Sequence, residues 1–237
     1  MKRTIVVALL LAACSFAVAA PVETKSRLIG LLDAYTDSDG RVVMAVVASP
    51  AEVVSQAAIE IQFAPSKLQL IDARGRNGVQ AQVMEQEGRT VVQFWPGVEA
   101  RQAGLQVLGY LEFQNLKGRE YAEVLMPMGW VNGVETAPGA ARVQTERRAQ
   151  LQFLAEGMVA VPVTRASRVT FDDRQLEFVK SVPEGLYPEQ NRSVRGKRAG
   201  PQIRLTGSQD EVTVLFFQRL ESDPRRLNDP ILVSIVE

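Results

Sequence analysis

Short stretches in which every second residue is apolar recur along this chain, with turn residues between them. Ala58-Ile59-Glu60-Ile61-Gln62-Phe63 has the pattern, and so do Val79-Gln80-Ala81-Gln82-Val83 and the run from Leu105 through Val107 to Phe113. Successive side chains of a strand point to opposite faces, so this period suits strands half-buried in a sheet. Asp37-Ser38-Asp39-Gly40, Ala64-Pro65-Ser66-Lys67, Arg74-Gly75-Arg76-Asn77-Gly78 and Glu87-Gly88 supply turn chemistry between such segments. Strands closely spaced between turns predict an all-β chain built as a sandwich or barrel.

The first expected unit spans residues 28–135. Its opening hairpin joins Leu28 to Leu32 with the β-branched run Arg41 to Ala48, which Ser49-Pro50 ends. A second hairpin runs from Val79 to Trp95. Glu123 to Met126 and Trp130 to Val134 complete the unit. Residues 136–157 read as a connector. Val143, Leu151 and Leu154 fit one face of a helix stopping at Gly157, whereas Leu151 and Phe153 between glutamines fit a strand. Both readings stand at this point. Residues 158–237 form a smaller β-rich C-terminal unit, with strand-like segments at Val159–Val163, Val169–Phe171, Leu176–Val179, Ile203–Leu205, Val212–Phe217 and Ile231–Val236. A polar loop over 184–201 interrupts it.

The first residues predict export. Lys2 and Arg3 precede the apolar run Ile5 to Ala13, and small residues follow up to Ala17-Val18-Ala19-Ala20. A charged start, a short apolar middle and an A-x-A end make a signal peptide over 1–19, too short to remain as a membrane span. Cys14, the only cysteine, closes Leu11-Ala12-Ala13-Cys14, which resembles the bacterial lipobox. Cleavage before Cys14 would leave a lipid-anchored envelope protein with a leader of 1–13. Pro21 favours a cut after Ala19. The expected location is periplasmic or extracellular, with the membrane reached only through that anchor.

Composition narrows the chemistry. Lys plus Arg and Asp plus Glu both number 27, and loss of Lys2 and Arg3 leaves the mature chain slightly acidic. Nucleic-acid binding wants a basic excess to neutralise phosphates, so no nucleic-acid partner is expected. There is no histidine. Imidazole is thereby lost as base, nucleophile activator and metal ligand. No cofactor or metal and no catalytic set is expected, and a carboxylate-based hydrolase is the least favoured reading.

From Val42 to Phe113 the order of features resembles cohesin modules and related carbohydrate-binding jelly rolls. The equivalents are the Val42–Val47 strand, Phe63-Ala64-Pro65-Ser66-Lys67-Leu68, Gly75, the Val79–Trp95 hairpin, and Gly104 to Phe113. Ala64 stands where those modules usually carry Asp. The resemblance covers roughly residues 28–134. It implies a jelly-roll or immunoglobulin-like sandwich in which a proline turn carries the chain from one sheet to the other and a leucine plugs the core. It also implies a binding role, since cohesins bind protein partners and their relatives bind polysaccharide.

Candidate contact residues follow. Trp95 and Trp130 are the two tryptophans, each beside a loop glycine. Each is either a platform for a sugar ring or a core aromatic at a strand end. Asp33, Asp37 and Asp39 before Gly40 match part of a calcium loop, but Tyr35 and Val46 stand at its first and last ligand positions, so a solvated turn is expected. Arg192, Arg195, Lys197, Arg198 and Arg204 form a basic patch that either meets an anionic partner or keeps a loop solvated. Gly75-Arg76-Asn77-Gly78 reads as a turn. Asn191-Arg192-Ser193 fits a glycosylation sequon. The sequence therefore predicts an exported, non-enzymatic binding module whose partner is another envelope or extracellular protein. Polysaccharide binding through a tryptophan is the alternative.

Overall fold

The computed structural model describes residues 28–118, 120–144, 152–153, 158–163, 168–189, 200–205, 212–220 and 233–236. These residues are all-β, with one 3-10 turn at Val98–Ala100 and no α-helix among them. Eleven strands build the first part. They are β1 (Ile29–Leu31), β2 (Ala34–Tyr35), β3 (Arg41–Ala48), β4 (Ala57–Phe63), β5 (Leu68–Gly75), β6 (Val79–Gln86), β7 (Arg89–Pro96), β8 (Gln106–Asn115), β9 (Ala122–Val131), β10 (Val134–Thr136) and β11 (Gly139–Gln144). The second part has β12 (Gln152–Phe153), β13 (Met158–Val163), β14 (Arg168–Phe171), β15 (Leu176–Val182), β16 (Pro188–Glu189), β17 (Gln202–Arg204), β18 (Thr213–Arg219) and β19 (Val233–Val236).

Four sheets result. One has the order β1-β3-β8-β5. A seven-stranded sheet has the order β2-β11-β9-β4-β7-β6, with β10 also on β9. The remaining two are β12-β13-β18-β15 and β16-β17-β14-β19. The first two face each other across a core that includes Val42, Met44, Val46, Ile59, Ile61, Phe94, Leu111, Phe113 and Val124. The last two enclose a second core with Val159, Val161, Val169, Phe171, Ile203, Leu215 and Phe217.

A third apolar layer joins the two sandwiches. Ala45, Val47 and Val107 on the outer face of the four-stranded sheet meet Ala160, Val182, Val214 and Phe216. Strand β3 therefore buries Val42, Met44 and Val46 on one side, and Ala45 and Val47 on the other. Strand β18 is divided in the same way, with Val214 and Phe216 toward the junction and Leu215 and Phe217 toward the far core. A strand covered on both faces reads as a continuous apolar run, and both segments do. The Tyr110 hydroxyl donates to the Val212 carbonyl at 3.5 Å across the same junction.

Local chemistry accounts for the connections. Lys67 and Leu68 both donate their N–H groups to the Ala64 carbonyl, at 2.9 and 3.0 Å, so the Ala64-Pro65-Ser66 turn moves the chain between sheets. Leu68 is fully buried beyond it, as the resemblance implied. Glu87 (φ 52°) and Gly88 (φ 77°) make the two-residue turn that pairs Gln86 with Arg89. The segments expected at Glu123–Met126 and Trp130–Val134 differ from the structure. Val131 ends one continuous strand, β9, that Pro127 does not break, because the register with β4 shifts there and leaves an extra residue opposite Ile61. A bulge tolerates the missing N–H of proline. Within 136–157, read as a connector of either type, Gly139–Gln144 forms β11 in the seven-stranded sheet and Gln152–Phe153 forms β12.

Candidate binding site

The seven-stranded sheet turns its inner face to the core and its outer face away from the junction. Antiparallel register sets the outer residues in rows. Trp130, Ala58, Gln93 and Gln82 form one row across β9, β4, β7 and β6, and Met128, Glu60, Val91 and Met84 form the next. Gln62 faces Leu125 beyond them, and Trp95 faces Gln80 on the other side. Large apolar and aromatic groups thus alternate with uncharged amides.

The charges in these two rows reduce to Glu60. Its side chain is almost wholly buried between Met128 and Val91. Arg89 Nη1 approaches Glu60 Oε2 at 3.4 Å, and Gln62 Nε2 donates to Oε1 at 3.2 Å. A carboxylate so placed holds Arg89 and Gln62 over the middle of the face and leaves no free charge there.

Both tryptophans open onto one cleft of about 210 Å³, with Gln56, Ala58, Gln93, Trp95, Trp130 and Gly133 in its lining. Strand β4 lies between the two that carry the indoles, so Trp95 and Trp130 stand on strands about 9.6 Å apart, two interstrand spacings. Ala58 between them is too small to fill the gap. Both rings are half-buried, which matches neither a free platform nor a core aromatic. The rim is tied down: Asn132 Oδ1 accepts from Ser55 N at 2.8 Å and Ser55 Oγ at 2.9 Å, and Asn132 Nδ2 donates to the Val53 carbonyl at 2.8 Å.

A second concavity, of about 380 Å³, lies where the sandwiches meet, lined in part by Arg76, Glu99, Gln106, Lys180 and Glu184. Lys180 Nζ donates to the Leu105 carbonyl. Burial lowers the Lys180 pKa, the Glu184 carboxylate opposes that shift, and Arg76 adds to it. With Glu184 beside Lys180 and the Lys180 ammonium engaged with backbone, this concavity works as a strut between the two halves.

The other expected positions fall elsewhere. Cys14, Arg192, Arg195, Lys197, Arg198 and Asn191 lie outside the described residues. Arg204 is in β17, paired with Glu189 at 3.2 Å on an exposed edge. Asp37 Oδ1 accepts the N–H groups of Asp39 (2.9 Å) and Arg41 (2.8 Å), and Asp33 Oδ1 accepts from Arg142 N at 2.8 Å, so these carboxylates cap turns and loops. No group of three or more metal-ligating side chains occurs among the described residues. Sequence reasoning named both tryptophans, but not Glu60, Arg89, Val91, Met84 and Met128. The alternation of Gln80, Gln82 and Gln93 with apolar residues was the available sign of their shared face.

No protein-family model matches the chain, and no curated protein does. Solved structures similar to about half of it are cohesin modules, the family the sequence resembles. A cohesin module from a family 33 glycoside hydrolase of Clostridium perfringens is 9% identical over 51% of this chain and 97% of its own, with a TM-score of 0.43. The sixth cohesin of Acetivibrio cellulolyticus scaffoldin B, in complex with a dockerin mutant, is 14% identical over 51% and 99%, with a TM-score of 0.40. A non-cellulosomal cohesin from Archaeoglobus fulgidus is 13% identical over 50% and 91%, with a TM-score of 0.38. Such likenesses concern strand arrangement and leave the ligand to be read from this chain's own residues.

Proposed function

We propose that this chain is an exported, non-enzymatic binding module that takes a protein partner, periplasmic or extracellular, on the outer face of its seven-stranded sheet. The observation that carries this reading is the pair of rows from Trp130 to Gln82 and from Met128 to Met84. They carry Trp130, two methionines and two glutamines, with Trp95 beside them, and their one carboxylate, Glu60, is paired with Arg89. Protein interfaces have that composition at their centres, where charge is depleted and aromatic residues and methionine are enriched. Tryptophans in partly desolvated pockets are the groups on which binding energy concentrates. The sequence resemblance to cohesins points to the same class of partner.

The test compares the wild type with a W95A/W130A variant in affinity capture from envelope and culture-fluid fractions. A stoichiometric protein retained by the wild type is expected to bind the variant at least about tenfold more weakly, the loss for one hot-spot residue. A partner bound equally by both proteins rules out this face.

Polysaccharide binding in the same cleft is the second reading, favoured by the two indoles with the Gln56 and Gln93 amides beside them. Titration of a glycan panel is then expected to shift the indole fluorescence, and an unchanged spectrum throughout removes this reading.

A further inference from the structure

Side chains around the tryptophan cleft carry more hydrogen-bond donors than acceptors, and the protein itself uses none of them. Trp95 and Trp130 each bring an indole N–H, which only donates. Gln56 and Gln93 each bring an amide with two N–H groups and one carbonyl. None of these four side chains hydrogen-bonds to another of the described residues. Strands β9, β4 and β7 each pair on both sides, so the floor of the cleft offers no spare backbone acceptor. No charged side chain lines it. Glu135, opposite Trp130 on β10, lies outside the lining.

A ligand suited to this lining supplies acceptors and apolar rings, brings few donors and carries no charge. Every pyranose hydroxyl brings a donor, which the lining meets with only two amide carbonyls. An ordinary extended peptide brings an N–H for each C=O. Proline has no N–H. In a polyproline II helix, which lacks internal hydrogen bonds, each carbonyl is free to accept. Proline-rich segments dock in aromatic-lined grooves in this way, and the preformed helix loses little freedom on binding.

The spacing sets the length of such a segment. Gln93 shares a row with Trp130 two strands away, and Trp95 lies two residues farther along β7. Two interstrand spacings and two strand residues put the tryptophan Cα atoms about 12 Å apart. Polyproline II advances about 3.1 Å per residue, so about five residues reach from one indole to the other. The cleft, at about 210 Å³, is smaller than the roughly 300–1,000 Å³ of small-molecule sites, which suits single rings of a chain that continues across the face.

We infer that the partner is held through an uncharged, proline-rich segment in polyproline II conformation. Its pyrrolidine rings pack on Trp95 and Trp130, and its carbonyls accept from the indole N–H groups and the Gln56 and Gln93 amides. This rests on the outer face being the partner site and names the chemistry of what that site grips.

Indole fluorescence of the full chain, titrated to the low millimolar range with acetylated, amidated octaproline, tests it. A saturable shift is expected, with none from a Gly-Ser peptide of equal length. Diproline, too short to span both indoles, is expected to bind at least about tenfold more weakly. Trp130→Ala, read through Trp95, is expected to weaken binding by about tenfold or more, as loss of a hot-spot residue does. Ala58→Leu keeps both indoles and fills the half-buried gap between them; it is expected to abolish the shift with unchanged circular dichroism. No saturable response to octaproline, a response equal in A58L, or saturation by cellopentaose alone overturns the proposal. A captured envelope protein that needs both tryptophans but is not displaced by octaproline overturns it too, while leaving the partner face intact.

Discussion

The two sheets of the first sandwich share one core but differ in what lies behind them. The four-stranded sheet is covered on both faces, by the first core and by the junction with Val214 and Phe216. The seven-stranded sheet is covered on one, and Trp130, Met128, Leu125 and Gln82 look outward. Strand β3 shows the first situation in its sequence, Arg-Val-Val-Met-Ala-Val-Val-Ala, and β6 shows the second in its regular alternation. Apolar residues on the back of β3 are accounted for by packing, whereas those on the outer face of β4, β7 and β9 meet no second sheet among the described residues. The difference separates residues kept for stability from residues available for recognition.

The largest effect that would sharpen this contrast is expected at the junction. Phe216→Ala should cost about 3–5 kcal/mol in denaturant unfolding, because it empties a fully buried aromatic site between sandwiches. Trp130→Ala on the outer face, half-buried, should cost about 1 kcal/mol. Equal losses would break the distinction between the two faces.

A smaller effect is expected at Gly129. A Cβ there would lie 2.7 Å from Thr136 Cγ2 and 2.8 Å from Ile29 Cγ2, where β9 passes β1 and β10. Gly129→Ala should destabilise by about 1–3 kcal/mol through overpacking, measured the same way, while leaving the outward-facing Trp130 in place.

The smallest effect is a pH dependence at the strut. The folded pKa of Lys180 lies below the ordinary lysine value because of burial. Between the two values the unfolded chain binds more protons, so this group makes stability rise with pH across that window. Denaturation curves of Lys180→Met should lack that component of the rise. An unchanged slope would mean that Lys180 does not sit in a desolvated junction.

Much of this was legible in the sequence, and the limits have physical causes. Alternation located β4, β6 and most of β8, since a strand's period depends only on its own residues, and the Glu87-Gly88 turn located β7 as the second half of a hairpin. The Glu87-Gly88 and Ala64-Pro65 turns were equally local. Sheet order was not legible: β4 sits between β9 and β7, and only that placement brings Trp130 and Trp95 to one cleft. The uninterrupted apolar runs in β3 and β18 signalled two-sided burial, but nothing local said that they bury against each other. The continuity of β9 through Pro127 depended on a bulge set by its neighbour.

The junction has a mechanical consequence. Sheets stacked face to face lie about 10 Å apart, so four of them make a block with roughly 30 Å between its outermost layers. Because greasy packing, the Tyr110 hydroxyl and the Lys180 ammonium bind its halves together, force applied at the tryptophan end would travel through the block without a loose tether in between.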